Sequence, residues 1–299
     1  MTDSFPLQNH LVAGREVLAC LPSAGLADAE KPPLLFVHGA FAGAWMWADT
    51  YMPWFAQAGY PCYALSLRGH GNSSDRERID WLSIGEYVED LQVVAEWLET
   101  PAVLVGHSMG GFVVQKYLER HPALAAALLC AVPPQGLAAS QFHMLFQKPG
   151  LFLELNNVMN GRQVSLDAIR ESLFSQPVSE STLSRFRAKM QVESQRAMWD
   201  MTVFHLPTLP FTARPPLFIA GAEHDVMVPP FMVLATAHTY GVEAHMFKGM
   251  GHAITHERDW RETAEPLLDW LEAQVSGQTQ HPRAENMAAP SGAYVNALA

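Results

Sequence analysis

The feature that most constrains this chain is an alternation: short, mainly apolar runs recur along it with helical patterns between them. The runs are Leu34–Val37, Cys62–Leu67, Val103–Val105, Leu128–Val132, Pro216–Ala220 and Val242–Phe247. Runs of this length fit strands buried on both faces of a sheet. Between them, Ser83-Ile84-Gly85-Glu86 has capping-box spacing, and Tyr87, Leu91, Val94, Ala95 and Leu98 then recur on one helical face. Pro101 ends that helix, a second is expected from Ser108 to about Arg120, and a third from about Asp259 to Val275. Strands alternating with helices imply βαβ units and a mostly parallel sheet flanked by helices. Two further segments, roughly Leu7–Val12 and Glu16–Leu21 around Gly14-Arg15, read as an opening hairpin. With them the expected sheet has eight strands.

The rhythm breaks between Pro134 and Thr212. This stretch has no convincing strand and is rich in Phe, Leu and Met, including Phe142, Met144, Phe146, Met198 and Met201. It reads as an inserted α-helical cap, with 1–133 and 213–275 as the core. Most of its large apolar residues should fill the cap's own core. Residues 276–299 lose periodicity and read as a flexible tail.

Charge and cysteine usage narrow the function. A net charge of −11 repels phosphate backbones, so a nucleic-acid partner is not expected. The three cysteines, Cys20, Cys62 and Cys130, form no C-x-x-C and read as small buried hydrophobes in a reducing compartment. The N-terminus carries no secretory pattern, and no apolar run approaches 18 residues. A cytoplasmic protein without an integral membrane segment is the expectation.

The chemistry is concentrated at Gly106-His107-Ser108-Met109-Gly110, directly after Val103–Val105 and at the start of a helical segment. A strand–turn–helix with G-x-S-x-G is the setting of a nucleophile elbow. A serine hydroxyl needs a base, normally His, and the base needs an orienting carboxylate. In such a chain the acid precedes the His, and both follow the Ser. His252, in Gly249-Met250-Gly251-His252 after the last strand, fits better than His245 or His256. Asp225, in Gly221-Ala222-Glu223-His224-Asp225, is preferred over Glu223. An acid one strand earlier is disfavoured, because residues 121–153 contain no Asp or Glu. The oxyanion donors are expected to be the N–H groups of Met109 and of Ala40, with Phe41 second to Ala40. Phe41, His107, Phe142 and Phe146 are candidate substrate contacts. Neither G-x-G-x-x-G nor Gly-Lys-Ser/Thr is present at the elbow, and His252 and His256 lack His-Glu-x-x-His spacing, so no metal or organic cofactor is expected.

These motifs together resemble the α/β-hydrolase superfamily, and in particular its capped esterase, lysophospholipase and monoacylglycerol-lipase-like members. His38-Gly39-Ala40 resembles the oxyanion loop, and Leu67-Arg68-Gly69-His70-Gly71-Asn72-Ser73 resembles the family's Arg-Gly-His-Gly-x-Ser loop. Residues 221–225 and Gly251-His252 resemble the acid and His loops. Ser66 departs from the Asp that relatives often carry there, with local hydrogen bonding as the expected consequence. The resemblance implies hydrolysis of a small apolar carboxylic ester through an acyl-enzyme. Thioester, lactone or carbon–carbon hydrolysis and perhydrolysis could use the same groups. A non-catalytic ligand-binding protein on the same fold is the alternative from another class.

Overall fold

A computed structural model describes residues 5–26, 31–159, 162–208 and 215–279. Its eight strands are β1 (Leu7–Val12), β2 (Arg15–Cys20), β3 (Leu34–Val37), β4 (Cys62–Leu65), β5 (Val103–His107), β6 (Ala125–Leu129), β7 (Leu217–Ala222) and β8 (Ala244–Phe247). They form one sheet in the order β1-β2-β4-β3-β5-β6-β7-β8. The β1–β2 and β2–β4 pairs are antiparallel and the other five are parallel.

Alternate residues of the central strands feed two cores. Leu35, Val37, Leu104 and Leu128 pack on one face with Tyr87, Leu91 and Phe112 from the covering helices. Leu34, Phe36, Val105 and Leu129 pack on the other with Trp47, Tyr51, Phe55 and Leu267. This two-sided burial is why the strands read as apolar runs. The helix Ile84–Trp97 starts with the expected capping box: Ser83 Oγ accepts from Glu86 N–H, and Glu86 accepts from Ser83 N–H.

Two boundaries differ most from expectation. β6 is Ala125–Leu129, not Leu128–Val132, because Cys130 adopts φ 45° and turns the chain out of the sheet. Three small alanines hide the strand's true start from a hydrophobicity reading. The last helix runs Arg261–Thr279, so the expected tail begins inside it; residues 280–299 lie outside the described residues. Ser66 leaves the sheet after β4, where its Oγ donates to Glu16 Oε2 and accepts from Ala44 N–H. A carboxylate from β2 thus stands beside Ser66.

Between β6 and β7 lie the helices Ala138–Gln147, Pro149–Met159, Leu166–Leu173, Glu180–Lys189 and Gln195–Trp199, and a π-helical turn, Asp200–Phe204. Ser165, Ser179 and Ser194 cap three of them by accepting from the N–H three residues on. The first four helices share a third core, in which Leu151, Ile169, Phe174 and Leu183 are buried, whereas Ala197 and Met201 of the last two elements pack into the first core. Among the described residues, no helix is long and apolar enough to cross a membrane.

Gly110 shows how tightly the core is built around β5. A Cβ on it would collide with the Val37 carbonyl group, which is backbone and cannot rotate away. Gly110→Ala is therefore expected to destabilise the protein by about 1–3 kcal/mol or more. A thermal melt of the variant tests this; an unchanged midpoint would refute it.

Candidate active site

Ser108 joins β5 to the helix Met109–Leu118 with φ 53° and ψ −119°. A non-glycine residue at positive φ is strained, at a cost of order 1–3 kcal/mol. Neighbouring backbone holds it there. Ser108 N–H donates to Leu129 O at 3.0 Å, and Val132 N–H donates to Ser108 O at 3.1 Å. The exit of β6 thus clamps both sides of the Ser108 peptide. Gln115 Nε2 in turn donates to Val132 O at 2.8 Å. Gly106 is required because a Cβ there would lie 2.6 Å from Gly110 O.

His252 and Asp225 come from the loops after β8 and β7. His252 Nδ1 lies 2.7 Å from Asp225 Oδ2, with both side chains buried. The other carboxylate oxygen, Oδ1, accepts from the N–H groups of Met227 and Val228, each at 2.8 Å. Asp225 is thereby fixed by its own turn, and its free oxygen points at the imidazole. Glu223, the competing acid, is half exposed and accepts instead from Gly249 N–H. The His loop is anchored by Glu257, a carboxylate 1% exposed. It accepts from Gly251 N–H at 2.8 Å and from the cap residues Ser175 and Gln176 at 2.6 and 3.2 Å. Burial pushes its pKa up, against those bonds.

The loop after β3 carries His38, Gly39, Ala40 and Phe41. Burial, then neighbouring His70, lowers the His38 pKa to about 3, so its imidazole is neutral. His38 Nε2 accepts from Leu67 N–H at 3.0 Å and Nδ1–H donates to Gly39 O at 2.8 Å. Among the described residues, nothing accepts from the N–H groups of Ala40 and Met109. Phe41 N–H, the second candidate, is engaged by Glu193 Oε2 at 3.3 Å.

One cavity is lined by Gly39, Ala40, Phe41, His107, Ser108, Met109 and His252 together, with Asp225 buried behind His252. Its remaining walls are largely apolar, Met198, Met201 and Met227 among them, and no Asp, Glu, Lys or Arg among the described residues lines it. A second cavity shares Phe41, Leu155, Met198 and Met227 with it and opens between the helices of the cap. Phe142 and Phe146 are not brought to either cavity. They stand 63% and 76% exposed on one face of Ala138–Gln147, because their i, i+4 spacing opposes the buried Ser140 and Met144. His256 was passed over as a base, yet it lines the cavity as a neutral group, its pKa lowered by burial to about 4.

His107 is also neutral, its pKa lowered to about 3 by burial and then by His252. Its Nε2–H donates to His252 O at 2.9 Å, and its buried Nδ1 has no partner among the described residues. Donor atoms of His107, Cys130 and His252 lie within 4.8 Å of one another, an arrangement that could hold a metal. However, His252 Nδ1 is committed to Asp225. Burial, then the Asp225 carboxylate, raises the Cys130 pKa well above its usual value, which keeps the thiol protonated.

Residues 34–265 match the alpha/beta hydrolase family. A monoacylglycerol lipase of Mycolicibacterium smegmatis is 20% identical over 225 residues, 73% of this chain and 80% of the lipase. A bifunctional esterase/perhydrolase of Acinetobacter calcoaceticus is 36% identical over 109 residues, 35% of this chain and 38% of that protein. An epoxide hydrolase of Caenorhabditis elegans is 32% identical, with the match spanning 36% of this chain and 26% of its own length. The solved esterase from Exiguobacterium antarcticum superposes with a TM-score of 0.67 at 17% identity, covering 90% of this chain and 100% of the esterase. The chain belongs to the alpha/beta hydrolase family of enzymes.

Proposed function

We propose that the protein is a serine hydrolase acting on a small carboxylic ester with an apolar acyl or alkyl group. The observation that carries this reading is the 2.7 Å His252–Asp225 contact behind a cavity that Ser108 also lines. In this reading Ser108 Oγ attacks the acyl carbon and His252 Nε2 takes its proton. Asp225 accepts from His252 Nδ1–H and stabilises the imidazolium. The developing oxyanion is met by the N–H groups of Ala40 and Met109. His252 then returns the proton to the departing alcohol, leaving an acyl-Ser108. Water attacks this ester through the same base and releases the acid, with no metal or organic cofactor taking part.

The cavity wall supports an uncharged substrate. A charged acyl tail would leave water with no partner of opposite sign. Residues 134–212 are proposed as the cap that selects it; of these, 160–161 and 209–212 lie outside the described residues. A second reading, perhydrolysis, is favoured by the esterase/perhydrolase relative. There hydrogen peroxide replaces water at the acyl-enzyme and the product is a peracid. Three free, buried cysteines support a cytoplasmic location.

A fluorophosphonate probe is expected to label Ser108, and Ser108→Ala to lose about 10⁴-fold or more in kcat. Retained turnover in Ser108→Ala would mean that another group is the nucleophile. Absence of labelling and of turnover in the wild type would favour a ligand-binding protein. Asp225→Asn is expected to fold, since an amide oxygen can still accept from Met227 and Val228, but to lose about 10⁴-fold in kcat. A loss below ten-fold would point to Glu223. Across p-nitrophenyl esters, a terminal carboxylate on the acyl chain should lower kcat/KM by at least about ten-fold against a neutral chain of equal length; equal rates would sink the apolar-substrate reading. Phe146→Ser should leave kcat/KM on soluble esters within about two-fold, as for other surface changes.

A further inference from the structure

We infer that Glu193 is a positioning residue for the oxyanion hole: its buried carboxylate fixes the Phe41 peptide, and so leaves the Ala40 N–H aimed at the acyl oxygen. This rests on the reading of Ser108 as nucleophile and of Ala40 as a donor. Phe41 stands at φ 63°, a conformation that a bulky side chain rarely adopts. Something outside the loop must hold it there, and the strap that leaves the cap does so from both sides. Gln191 N–H donates to Phe41 O at 3.0 Å, while Phe41 N–H donates to Glu193 Oε2 at 3.3 Å.

Glu193 is 1% exposed and carries four donors on two oxygens. Besides Phe41 N–H, Oε2 meets His70 Nε2 at 3.1 Å; Oε1 accepts from Tyr87 O–H at 2.9 Å and from Ser194 N–H at 2.7 Å. His70 Nδ1 also faces a carbonyl, Arg68 O, at 3.1 Å, so both of its nitrogens carry protons. Burial is the largest single effect and works against charge on both groups, but their pairing together with the bonds with Arg68 O, Ser194 N–H and Tyr87 O–H outweighs it: the His70 pKa is raised and the Glu193 pKa lowered. A carboxylate this deep is costly unless paired and fully bonded, and here it is both.

Only a carboxylate satisfies this geometry. Phe41 N–H and Ser194 N–H are fixed backbone donors on different oxygens of Glu193. An amide offers one acceptor oxygen, so it must turn its NH₂ toward one of them. The Glu193–Phe41 bond also resolves which N–H of the loop remains for substrate, since it takes up Phe41 N–H.

The experiment compares Glu193→Gln, Glu193→Ala and Ser194→Ala, with rates per active site from fluorophosphonate labelling taken to completion. Ser194 Oγ ties the same strap to Leu82 O, away from Phe41, and so controls for simple loosening of the cap. Both Glu193 variants are expected to lose about 10- to 100-fold in kcat on p-nitrophenyl butyrate, with KM within about three-fold. Ser194→Ala should keep kcat within about two-fold while its melting temperature falls. If Glu193→Ala does not fold, Glu193→Gln, which keeps the volume, decides. A wild-type kcat in Glu193→Gln, or a change in KM alone, overturns the inference. Turnover surviving in Ser108→Ala would overturn the nucleophile reading instead, so the two failures are distinguishable.

Discussion

The structure is organised around one strained peptide. Ser108 at φ 53° is held by bonds to Leu129 and Val132, and this requires β5 and β6 to be adjacent and parallel. The same elbow brings Gly110 against the backbone of Val37 and His38, at the end of β3. Because β3 pairs with β5 on the other side, its exit loop has to pass beside the nucleophile. The proposed oxyanion donor and the proposed nucleophile are therefore neighbours by sheet order, before any side-chain chemistry is considered. A strained turn survives only when its surroundings over-determine it, and here the two flanking strands do so.

The core was legible in the sequence because parallel strands buried on both faces leave uninterrupted apolar runs, and because glycines mark the elbow. The turn at Asp225 was legible for a similar local reason: an Asp ahead of Val228-Pro229 forms a turn with its own i+2 and i+3 N–H groups, as observed. β6 was misplaced because three alanines carry little hydrophobic signal and Cys130-Ala131-Val132 carries more. Phe142 and Phe146 were selected by residue type, and only the helix register shows that they face outward. Glu193 and Glu257 could not have been found. Glu193 is a lone acid in a polar stretch and Glu257 stands beside Arg258 and Asp259; the importance of each comes from donors that are distant in sequence, Phe41 and Tyr87 for the first and Ser175 and Gln176 for the second.

Those two acids define how the inserted helices are attached. Glu193, between two of the inserted helices, bonds the proposed oxyanion loop, and Glu257 follows His252 and bonds the inserted residues Ser175 and Gln176. Ala253 N–H adds a bond to Leu173 O at 2.8 Å. The inserted helices are thus fastened to the two loops that carry the proposed oxyanion donor and the proposed base, and not only to the sheet. A buried carboxylate suits such a joint: it takes several backbone N–H groups at once, and losing it leaves all of them unsatisfied.

This attachment changes what a cap substitution can do. In a lid that only covers the site, sequence change alters which substrates bind and appears in KM. Here Gln191, Glu193 and the residues at 173–176 share hydrogen bonds with the loops proposed to meet the transition state, so a change that breaks those particular bonds moves the loops as well. The neutral, apolar wall adds to the effect, because N–H dipoles act most strongly on a developing oxyanion where water is excluded. In the proposed reading, the inserted helices that set the substrate's polarity also hold the loop that stabilises the oxyanion, and selection on one cannot leave the other untouched.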